Sequence, residues 1–133
     1  MIKLFQVDAF TKKVFRGNPA AVCLLDSKKS AEWLQALAAE MNLSETAFLL
    51  REKEGYKLRW FTPTTEVKLC GHATLASAWV LFTEGYYLKN EVISFSTLSG
   101  ILKARWKNQQ VVLDFPAFYG EKQVEKPELI KAL

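Results

Sequence analysis

The sequence holds one histidine and two cysteines, Cys23 and Cys70, among its 133 residues. Two cysteines cannot build a disulfide framework, and both lie in apolar stretches, as reduced cysteines of a cytosolic protein do. One histidine with two separated cysteines falls short of a familiar zinc set, so no metal is expected. No glycine-rich loop of phosphate-binding spacing occurs, which leaves a nucleotide site unsupported. The lysines are scattered, with Lys12-Lys13 and Lys28-Lys29 the only basic doublets. A basic stripe interleaved with stacking aromatics is therefore missing, and no nucleic-acid partner is expected. No apolar run approaches the roughly 18 residues of a membrane span. The opening "MIKLFQVDAF" alternates and carries Asp8, unlike the apolar block of a signal peptide. Internal repeats and low-complexity linkers are absent too. The expectation is a single soluble, cytoplasmic domain without a membrane partner.

The composition that remains, 50% hydrophobic and 24% charged, is enough for a real core. "IKLFQVDAF" reads as a strand. "GNPAAVCLL" opens on a turn at Gly17-Asn18-Pro19 and continues as a strand through Val22 and Leu25. Ser30 is a helix N-cap, after which Trp33, Leu34, Leu37, Ala38 and Met41 recur at the spacing of an amphipathic helix. "ETAFLLRE" and "YKLRWFT" form a hairpin about Glu54-Gly55. "EVISFST", "GILKARWK" and "QVVLDFP" are three further strands, with turns at Ser99-Gly100 and Asn108-Gln109. Pro127 starts "PELIKAL" like a helix. Many strands, two main helices and short connections predict an α+β fold with an antiparallel sheet rather than a βαβ repeat.

Between Ala73 and Phe82 no helical face carries charge. A helix apolar all round must be covered all round. The sheet is the material at hand, so it is expected to curl around this helix, with the Ser30 helix outside.

The lone histidine stands at the start of that apolar helix. His72 follows Gly71, which lets another backbone or a ligand come close. The first helical turn offers unpaired N–H groups and a positive dipole end, suited to an anion or carboxylate. His72 is thus either an acid/base group or a structural histidine. Glu45, in "MNLSETAFL", is either a solvated junction residue or a general acid/base. Cys70 is either a nucleophile or proton carrier at a helix N-terminus or a small buried hydrophobe.

"QVDAFT" with "GNPAAV", "MNLSETAFL", "RWFTPTTEV" and "CGHATLASA", in this order and spacing, make the chain resemble the phenazine-biosynthesis PhzF-like family, related to diaminopimelate epimerase. The resemblance covers the whole chain but only the first half of such a protein. It implies two similar lobes, each a central helix wrapped by antiparallel strands, with residues 1–126 as one lobe and 127–133 leading toward a second. It further implies isomerisation or epimerisation of a small carboxylated substrate by proton transfer, with no cofactor. Glu45 matches the family's acid/base glutamate and His72 the histidine beside it. Gly71 and Cys70 fall in the substrate-binding segment, and Asn18 in the cleft. In the family the site lies between the lobes, and an acidic residue and a Gly-Ser segment come from the second. A chain with one lobe is expected to pair with a second lobe or to form a homodimer. The alternative is a non-catalytic binding or assembly module that keeps the fold of one lobe.

Overall fold

A computed structural model describes residues 1–9, 18–115 and 128–130. The strands β1 (Lys3–Ala9) and β2 (Asn18–Leu25) pair antiparallel. Of the expected turn, Gly17 lies outside the described residues, while Asn18 and Pro19 already belong to β2. Helix α1 (Ala31–Met41) begins where the Ser30 hydroxyl accepts the Trp33 N–H, and it ends at Asn42 in the left-handed conformation.

The hairpin of β3 (Glu45–Glu52) and β4 (Gly55–Phe61) turns at Gly55, whose φ of 95° few other residues adopt. The two-residue β5 (Glu66–Val67) folds back on β4 and leads into α2 (Gly71–Thr83). Then come β6 (Ile93–Thr97), β7 (Gly100–Lys107) and β8 (Gln110–Asp114). Asn108 and Gln109, both at positive φ, turn the chain between the last two.

The strands form one sheet in the order β1-β2-β3-β4-β6-β7-β8, extended by β9 (Glu128–Ile130). It is a mixed sheet curled into a half-barrel, and this corrects the all-antiparallel expectation. β2 runs parallel to β3, and β4 parallel to β6. Each parallel pair is joined through a helix, α1 in the first case and α2 in the second. A helical crossover returns the chain in its original direction, so the strands flanking it pair parallel. The second correction concerns the tail: Glu128–Ile130 is a strand paired antiparallel to β8, where a helix was expected. A two-turn helix is marginal by itself, whereas the open edge of β8 offers unpaired backbone groups.

Strand alternation divides the side chains between the two helices. Ala20, Val22, Ala47, Leu49, Leu58 and Trp60 share a buried cluster with α2. Cys23, Phe48 and Phe61 point the other way, onto Leu34 and Ala38 of α1. From His72 to Phe82 every residue of α2 is buried except Trp79, which is half-buried and stacks on Trp106 at 5.2 Å. Thr83 at the end of α2 is exposed. Among the described residues no helix is long and apolar enough to cross a membrane.

Candidate active site

Glu45 is the first residue of β3, on the same alternation as Ala47 and Leu49, so its side chain projects toward α2. There it meets the start of that helix. The Nε2 atom of His72 lies 3.1 Å from Oε1 of Glu45, with the imidazole 9% and the carboxylate side chain 20% exposed. The Sγ atom of Cys70 lies 3.3 Å from the ring's other nitrogen, Nδ1. Two elements that are far apart in sequence thus bring a carboxylate, an imidazole and a thiol together at the sheet-helix junction.

The local backbone explains why they stay there. Cys70 is the extended residue before α2, and no side chain caps the helix. Its carbonyl accepts the Thr74 N–H at 3.2 Å and the Thr74 hydroxyl at 2.7 Å. That hydroxyl in turn accepts the indole N–H of Trp60, from β4, at 3.1 Å. Trp60 and Thr74 are fully buried, so the start of α2 is tied to the sheet by bonds that water does not reach. Neither residue was among the sequence candidates. A bond between an indole and a hydroxyl on different elements leaves no periodic signal.

Burial pushes the Cys70 thiol up to about 12. The N–H of Ala73 opposes that rise, and the nearby Glu45 carboxylate adds to it. Cys70 in this setting keeps its proton and is not a ready nucleophile.

Glu45, Cys70 and His72 offer donor atoms within 4.8 Å of one another, close enough to consider a metal ion. An imidazole lends a metal one nitrogen, yet here the thiol faces one nitrogen and the carboxylate the other. The ring sits between its two neighbours, which is an arrangement for passing or orienting a proton.

Gly71 is the first residue of α2, between the two side chains that flank it. Asn18 opens β2 two positions before Ala20, the register partner of Glu45. That is about 7 Å along the strand and on the same face. A groove of about 230 Å³ lined by Leu34, Phe48, Lys57 and Arg59 lies on the α1 side of the sheet and shares no residue with this cluster.

Residues 7–128 match the family described as phenazine biosynthesis-like protein, PhzC-PhzF. An uncharacterised isomerase of Halalkalibacterium halodurans is 50% identical over 131 residues, covering 98% of this chain and 49% of that protein. A crystal structure of a PhzF-family phenazine biosynthesis protein from Enterococcus faecalis superposes with a TM-score of 0.79 at 47% identity, over 86% of this chain and 44% of that one. A predicted epimerase of Pseudomonas aeruginosa has the same fold, with a TM-score of 0.74 at 22% identity, over 86% of this chain and 43% of that one. The chain spans about half the length of the curated relatives it matches.

Proposed function

Because the chain belongs to the phenazine biosynthesis-like PhzC-PhzF family, we propose that it is one lobe of an isomerase or epimerase that moves a proton on a small carboxylated substrate. The observation that carries this reading is the 3.1 Å approach of the Glu45 carboxylate to the His72 ring at the uncapped start of α2. Glu45 takes a proton from a substrate carbon and returns it, within reach of the ring that shares its environment. The N–H groups of Gly71 and His72, at the positive end of the helix, hold the substrate carboxylate. Asn18 and Cys70 line the same cleft. The chemistry draws on side chains and backbone alone and needs no cofactor. Wrapping the sheet about α2 has a purpose in this scheme: it fixes the helix start against Glu45.

A proton on carbon is removed efficiently only where water is kept out and the substrate held. Residues 1–126 then act as one lobe, and a second lobe or a second copy of the chain closes the cleft. Leu69, 39% exposed, adjoins Cys70, and Leu98 is 64% exposed. Ser99 ties the two neighbourhoods together by donating its hydroxyl to the Lys68 carbonyl at 2.6 Å. Covering such apolar side chains beside a site favours association, with a two-fold pair the simplest closed form. Buried free cysteines suit the reducing cytoplasm in which we place the protein.

The test is solvent deuterium incorporation. The assembled protein is incubated in D2O with small carboxylic acids that carry an acidic C–H, and the loss of that proton signal is followed by NMR. Exchange by the wild type and none by Glu45→Gln supports the enzyme. A second reading is a non-catalytic binding or assembly module that keeps the fold of one lobe and holds carboxylates without turnover. Binding by the wild type with no exchange on any acid would select it.

A further inference from the structure

Resting on that proton-transfer reading, we infer that Cys70 is a positioning residue whose thiol fixes which nitrogen of the His72 ring carries the proton. A neutral imidazole has one donor nitrogen and one acceptor nitrogen. In this site each nitrogen has a different neighbour: Cys70 Sγ at 3.3 Å from Nδ1 and Glu45 Oε1 at 3.1 Å from Nε2. A thiol that keeps its proton can donate to a bare Nδ1, which leaves the ring's hydrogen on Nε2, beside the carboxylate. The opposite tautomer sets the bare Nε2 lone pair against a carboxylate oxygen and takes the Nδ1 acceptor from the thiol.

The remaining geometry suits this role. Cys70 is 8% exposed, and burial holds its thiol protonated, up to about 12. Its backbone is held by the Thr74 hydroxyl, itself bonded to Trp60. A cysteine fixed by its own carbonyl and kept neutral makes a poor base and a steady, if weak, donor. The consequence for the reaction lies at Glu45. A ring with its hydrogen on Nε2 presents that N–H to the carboxylate that accepts a proton from carbon.

His72 is the only histidine in the chain, so ¹⁵N-labelled histidine gives a single imidazole to read by NMR. In the wild-type chain at neutral pH the proton should sit on Nε2, with Nδ1 bare. Cys70→Ser keeps an O–H donor and should keep that tautomer. Cys70→Ala should shift the tautomer ratio toward Nδ1–H by roughly threefold, the size of one weak hydrogen bond. A folded Cys70→Ala chain with the wild-type ratio overturns the inference. So does a wild-type ring protonated on Nδ1, alone or together with Nε2. Should Cys70→Ala not fold, the wild type and Cys70→Ser decide, since Nδ1–H in either one overturns it. None of these readouts requires turnover. A failed deuterium exchange with Nε2–H intact would sink the proposed activity and spare the role of Cys70, and the reverse pattern would do the opposite.

Discussion

Replacing Thr74 with Val should show how firmly the start of α2 is tied to the sheet. The two side chains are nearly equal in size, so the change exchanges a hydroxyl for a methyl with little change of shape. The hydroxyl makes two buried bonds, donating to the Cys70 carbonyl at 2.7 Å and accepting from Trp60 Nε1 at 3.1 Å. The carbonyl keeps the Thr74 N–H, so it stays satisfied. The indole N–H of Trp60, fully buried, loses the Thr74 hydroxyl as its acceptor. Stranding such a donor costs about 1–3 kcal/mol, and losing the second bond about 1 kcal/mol more. The added methyl, buried in an apolar surround, returns about 1 kcal/mol. The net loss is about 2 kcal/mol, visible as a lower urea midpoint at unchanged slope. Trp60→Phe removes the stranded donor, so Thr74→Val in that background should cost less by about 1 kcal/mol or more. Equal costs of Thr74→Val in the two backgrounds would refute the reasoning, because the indole would then not depend on the hydroxyl.

Gly55→Ala should destabilise by more than about 1 kcal/mol, since φ is 95° and a Cβ there would fall 2.1 Å from the Ser94 carbonyl oxygen; thermal melts check it. Trp79→Ala should cost about 3 kcal/mol in urea unfolding, as the half-buried indole and its stack on Trp106 at 5.2 Å are lost. Burial raises both thiols from the ordinary 9.0, Cys23 to about 11 and Cys70 to about 12. Iodoacetamide at about pH 8 should therefore label neither until urea unfolds the chain. The folded state keeps these protons longer than the unfolded one, so stability is full below pH 9.0 and falls as pH climbs toward 11 and 12. Unfolding curves across that range should show the decline.

Local signals carried over well where local physics decides the outcome. Ser30 caps α1 because a short hydroxyl side chain reaches the Trp33 N–H wherever it is placed. The Asn108-Gln109 turn and the strands about it follow from the immediate chain. What the sequence hid was direction. Nothing in the residues of β2 or β3 announces that they run parallel; that follows from α1, outside the sheet as expected, also being the crossover between them. The tail misled for a related reason. "PELIKAL" has helical spacing, but the edge of β8 lies outside the local window, and its pull on Glu128–Ile130 is invisible there. At the candidate site, Glu45 and His72 were legible as acid/base residue types at element ends. Their meeting at 3.1 Å depends on the register of β3 against α2, and the Trp60–Thr74 bond that steadies it depends on tertiary packing.

The central claim is that Glu45 moves a proton on carbon beside His72, and the most direct measurement is the rate of solvent deuterium entry into a carboxylated substrate. Glu45→Gln keeps the size of the side chain and removes its capacity to accept that proton. The rate should fall by a hundredfold or more, on the order of what a positioned acid/base group contributes. A Glu45→Gln protein that exchanges its substrate at the wild-type rate would contradict the account.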